Sequence, residues 1–152
     1  MALSVEELVS ELSVIEPEPD SFARISAEDI PALRELFARA EPWMAARVVF
    51  VTARFADRPD ARDVILDAAR DARPEPRTAA AAVAKHFPPE IADRVLLLLL
   101  GDQNVGVRRS AVLAVRSENG QAVKDMLASM SATDQPALLR TEINTQLRTV
   151  GR

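Results

Sequence analysis

An acidic residue followed six positions later by an arginine recurs at a near-constant period along the chain, as Glu41 and Arg47, Asp71 and Arg77, Asp102 and Arg108, and Asp134 and Arg140. The arginines of successive copies stand 30, 31 and 32 residues apart. A near-constant period of this length marks stacked supersecondary units, each too small to bury its own apolar face and completed by its neighbours. Every copy has the same context: an apolar segment, a turn that carries the acid, and a second apolar segment opening near the arginine.

Within both segments apolar residues recur at helical spacing. Ile30, Leu33, Leu36 and Phe37 form one face of a first helix that Ser26 can cap, and Val48, Val49, Val51, Thr52 and Phe55 belong to a partner opening near Pro42. The second unit opens at Asp57 or Pro59 and pairs Val64, Ile65, Ala68 and Ala69 with Ala79 to Val83 and Phe87. The third pairs Ile91, Val95, Leu98 and Leu99, turning at Gly101, with Val105, Val107, Ala111, Val112 and Val115. The fourth pairs Val123, Met126, Leu127 and Met130 with Leu138, Leu139, Ile143 and Leu147.

Pro42, Pro59, Pro74, Pro76, Pro88, Pro89 and Pro136 all fall at inferred helix starts or turns, where a missing N–H costs nothing. Their placement did not enter the search for the repeat and agrees with it. Ahead of the repeats, Ser4 and Glu7 have the spacing of a capping box for a helix through Leu8, Leu12 and Ile15, ended by Glu16 to Asp20. Residues 1–25 are therefore read as an N-terminal capping helix and linker, and residues 26–152 as the repeat domain of a single compact, all-α chain.

The run from Gly101 to Ala111, with its turn acid Asp102 and the following Arg108, resembles the HEAT repeat, including its short bacterial forms near bilin-lyase-like proteins. The likeness covers Ser26 to Val150 and implies a right-handed α-α superhelix of four helix pairs. It also implies that Arg47, Arg77, Arg108 and Arg140, with Asp71, Asp102, Asp134 and the variant acid Glu41, form a structural ladder of ion pairs and caps along the stack. The period here is shorter than the roughly 40 to 47 residues usual for HEAT and armadillo units, which implies clipped helices and tight turns.

Catalytic machinery is hard to build from what remains. His86 is the only histidine and there is no cysteine, so neither a multi-His nor a thiolate metal site can form within one chain, and a His-dependent triad is not expected. His86, at a helix end, reads as a C-terminal capping residue. Asp57, Asp60, Asp63 and Asp67 share helical spacing, but Arg58, Arg62 and Arg70 interleave them, as on a solvated face. No glycine-rich phosphate loop occurs. The expectation is a non-enzymatic chain with no metal and no cofactor. Lacking cysteine and an apolar run of membrane length, it is also expected to be cytoplasmic, with no membrane partner.

Charge sorts unevenly between the two helices of each unit. The second helices carry Arg47, Arg54, Arg77, Lys85, Arg108, Arg109, Arg116, Arg140 and Arg148 against Glu75 and Glu142, a net +7 in a chain whose total is −4. By the resemblance, second helices line the concave surface, so this acidic protein is expected to present a basic groove. Setting the ladder arginines aside leaves Arg54, Lys85, Arg109, Arg116 and Arg148 as candidate partner-binding cations. Four of these follow their unit's arginine by seven or eight positions, which predicts a stripe. The partner expected is another protein, presenting an acidic peptide, helix or tail to a scaffold or adaptor module. Trp43 is the anchor candidate if exposed; otherwise it packs between the first two helix pairs. Weak nucleic-acid binding along the same stripe and a bilin-lyase-like activity are the alternatives.

Overall fold

Proline sets most of the helix starts. The helices Pro42–Thr52 (α3), Pro59–Ala69 (α4), Pro74–Val83 (α5) and Pro89–Leu100 (α6) each begin on a proline, and Ala137–Val150 (α9) follows Pro136 directly. In the first turn a proline ring forfeits no hydrogen bond, and its fixed φ already suits the helix. The remaining helices are Val5–Leu12 (α1), Ile30–Arg39 (α2), Val105–Ala114 (α7) and Gln121–Met130 (α8). This computed structural model describes residues 1–151. It is 70% helix, with no strand among those residues.

Side-chain caps define the other starts. Ser4 and Glu7 form the capping box of α1, and Ser26 with Asp29 forms a second box on the 3₁₀ turn Ala27–Asp29 that leads into α2. Asn104 Oδ1 accepts from Gly106 and Val107 N–H at the start of α7. The ends of α3 and α5 tighten into the 3₁₀ turns Ala53–Phe55 and Ala84–His86.

One helix is followed by four pairs, α2 with α3, α4 with α5, α6 with α7 and α8 with α9. Across pairs, α2, α4, α6 and α8 touch in sequence, and so do α3, α5, α7 and α9, making two layers. Helices of the second layer run parallel. Arg73 at the start of α5 reaches the carbonyl of Ala40 just before α3, and Arg77 in the first turn of α5 reaches Asp102 just before α7. At the other end, Gln146 of α9 donates to the carbonyl of Val115 immediately after α7.

The core lies between the layers. Leu33, Ile65, Val95, Leu99, Val123 and Leu127 enter it from the first layer, and Val48, Ala80, Ala111, Val112, Leu139 and Ile143 from the second. Leu8 and Leu12 of α1 close its N-terminal end. The alanines of α5 let it approach α3 and α7 closely, because a methyl side chain adds little to the interaxial distance.

Four expected core residues are not in the core. Ile15 lies beyond α1, which stops at Leu12, and is 92% exposed. Leu98, Val105 and Leu138 are likewise exposed, while Leu96 and Val150 are buried. An apolar run such as Val95 to Leu100 offers several faces of similar hydropathy, and the neighbouring helices choose among them. No helix among the described residues is long and apolar enough to cross a membrane.

Candidate functional site

The recurrent arginines hold turn carbonyls. Arg77 donates through Nη1 to the carbonyls of Asp71 and Ala72, and Arg108 donates through Nη1 to those of Asp102 and Gln103. A six-residue offset brings the guanidinium from the first turn of the second helix back over the inter-helix turn, whose carbonyls would otherwise lack partners. Arg140 does the same for Gln135, and Arg47 bonds the carbonyls of Leu12 and Val14, so that it closes the end of α1.

The acids are shared out less regularly. Asp102 receives a two-pronged contact from the preceding unit, Arg77 Nε to Oδ2 at 2.8 Å and Nη2 to Oδ1 at 3.0 Å. Burial opposes ionisation of Asp102, but the Arg77 bonds and the N–H of Asn104 outweigh it and hold the carboxyl below its ordinary range. Asp71 is also held low, chiefly by a side-chain bond from Arg73, a residue outside the repeat pattern. Arg73 in turn reaches the carbonyls of Ala40 and Phe37, and so links the second unit to the first.

Three members depart from the expected ladder. Asp134 is turned fully into solvent, 3.7 Å from Arg140, and among the described residues Arg108 Nε is buried without a partner. Glu41 accepts from Trp43 Nε1 rather than pairing with Arg47.

Arg54, Lys85, Arg116 and Arg148 each lie at or just past the C-terminal end of a second-layer helix. Lys85 and Arg116 wall one cavity of about 160 Å³, with Phe87, Leu96 and Glu118. Arg116 is steadied by the carbonyls of Leu113 and Val115, whereas Lys85 has no hydrogen bond or ion pair among the described residues. Arg54 donates to the carbonyl of Phe22, and Arg148 to the hydroxyl of Thr145.

Arg109 and Trp43 stand apart from these helix ends. Arg109 sits one turn into α7 and is taken up by Glu142 of α9 at 2.8 Å. Trp43 does not pack between the first two pairs; it is 50% exposed beside α1, with the Arg47 guanidinium 5.6 Å from its ring centre. The acids of α4 are held partly from outside that helix, Asp63 and Asp67 by Arg34 of α2.

Arg73, Asp29 and Asp93 escaped the sequence reading. Asp29 is buried and accepts from the N–H groups of Leu3 and Ser26; its spacing from Ser26 was the available signal. Asp93 accepts from Asn119 and from the N–H of Gly120, and no local pattern announces it. Among the described residues no group of three or more His, Cys, Asp or Glu side chains converges as a metal site would require. No family model, curated protein or solved structure matches the chain.

Proposed function

We propose that this chain is a short HEAT-like α-α superhelix that works as a protein-interaction module, taking an acidic segment of its partner along the edge where α3, α5, α7 and α9 end. The observation that carries this reading is the meeting of Lys85 and Arg116, separated by 31 positions in sequence, on one cavity of about 160 Å³. Its lining sets Lys85 and Arg116 against the single carboxylate of Glu118 and leaves Pro89 and Ala114 accessible, which suits a carboxylate-bearing side chain: the cations supply steering and register, and Pro89 and Ala114 supply contact. Arg54 and Arg148 extend positive charge to either side, so the ligand is an extended acidic stretch rather than one residue.

A fluorescent peptide of alternating Glu and Leu is the probe, titrated by anisotropy at low and at physiological salt. Lys85→Glu with Arg116→Glu is expected to weaken binding at least tenfold, each charge contact being worth about 1 kcal/mol or somewhat less. Arg94→Glu, on the first layer, leaves it unchanged. Unaltered affinity in the double variant, or equal loss with Arg94→Glu, overturns the reading. Tighter binding of duplex DNA than of the peptide, with a steep salt slope, replaces it with nucleic-acid binding.

A further inference from the structure

A larger concavity lies away from the basic edge. It is a trough of about 590 Å³ between α1 and the turn joining α2 to α3, and Trp43 stands in its wall. Val5 and Val9, one turn apart on α1, form one side; Leu36 and Met44 lie opposite. Between Val5 and Ser13 the trough follows α1 for about 12 Å, roughly two turns of an occupying helix.

Trp43 is half exposed although its ring is large, and its indole N–H is already satisfied by Glu41 at 3.2 Å. What it offers a partner is therefore its apolar face. Half-exposed tryptophan in a concave apolar setting is the usual form of an energetic anchor.

The charge around the trough is mainly acidic: Glu6 and Glu41 line it, against Arg39 in the lining and Arg47 on one face of the Trp43 ring. Residues 1–20 contain Glu6, Glu7, Glu11, Glu16, Glu18 and Asp20 and no lysine or arginine. Glu11 is engaged by Arg24, and Glu7 is committed to the helix cap. Glu6, Glu16, Glu18 and Asp20 have no ion pair among the described residues, and Glu6 lines the trough itself. Arg39, the one cation in the lining, is 3.5 Å from Glu35 of its own helix. The net field therefore repels an anionic membrane surface, which in addition requires several clustered cations.

We infer that this trough docks a basic amphipathic helix of another protein, whose apolar residues one turn apart pack on Trp43, Val5 and Val9 while its lysines or arginines face Glu6 and Glu41 of the lining. The site is distinct from the basic edge and opposite to it in the charge it selects. Neither depends on the other.

Trp43 is the only tryptophan, so its emission reports this trough alone. The full chain is titrated with a tryptophan-free 18-residue Leu/Lys amphipathic peptide and with its Leu/Glu counterpart. A saturable blue shift with the Leu/Lys peptide and none with the Leu/Glu peptide is expected. Glu6→Lys, and separately Val9→Asn, each checked for unchanged helicity, should weaken the Leu/Lys complex several-fold, an exposed charge being worth a few-fold in affinity. Lys85→Glu with Arg116→Glu should leave it intact, which separates this site from the basic edge. An equal shift with the Leu/Glu peptide, no shift with either, or insensitivity to both groove variants overturns the inference. So does a shift on raising the concentration of the chain alone, because the occupant is then a second copy.

Discussion

Asp102→Asn removes one charge from the ion pair that joins the second and third units. Arg77 and Asp102 side chains are only 15% and 9% exposed, and two bonds of 2.8 and 3.0 Å run between them. Breaking a fully buried pair costs about 3 to 5 kcal/mol because the survivor is left charged and unpaired. Here Arg77 keeps the carbonyls of Asp71 and Ala72, and the Asn side chain can still accept from the N–H of Asn104. The expected loss is therefore smaller, about 2 kcal/mol, and the coupling to Arg77→Met in a double-mutant cycle is about 1.5 kcal/mol. Urea unfolding followed by far-ultraviolet circular dichroism measures both. Because the carboxyl of Asp102 is held below its ordinary value, the contribution is complete above the unfolded pKa of about 3.9. It fades as pH falls through the lower folded value, so wild type and Asp102→Asn should converge only below about pH 4. A coupling under about 0.5 kcal/mol, the level of an exposed pair, would show that this contact does not join the units.

Other perturbations test other parts of the packing. Leu99→Ala, at a fully buried position, should cost about 3 to 5 kcal/mol in the same unfolding assay, since the surrounding helices can close only part of the cavity. Gly120→Ala would place a methyl 2.7 Å from Asp93 Oδ2, so it should cost about 1 to 3 kcal/mol, and Asp93→Ala in the same chain should relieve part of that loss. Ser4→Ala removes the acceptor that caps α1 and should cost about 1 kcal/mol. Its distinctive sign is a change in Trp43 emission ahead of global unfolding, because α1 forms the wall facing that ring.

What the sequence alone determined is whatever acts within a few residues of chain. A proline in the first turn, Ser4 with Glu7, and Ser26 at the head of its unit fix where helices begin, through φ and through orphan N–H groups, with no help from distant parts. Arginine six positions after the turn acid is equally local, since it reaches back over its own turn, as Arg77 and Arg108 do. Tertiary structure decided everything that requires a partner some thirty residues away. Arg77 engages Asp102 of the next unit, Asp134 faces water while, among the described residues, Arg108 Nε is buried without a partner, and Leu98 is exposed where Leu96 is buried. Trp43, too, owes its exposure to where α1 comes to rest. Such choices follow from small differences in packing and desolvation between nearly equivalent side chains, and those differences exist only once the neighbouring helix is in place.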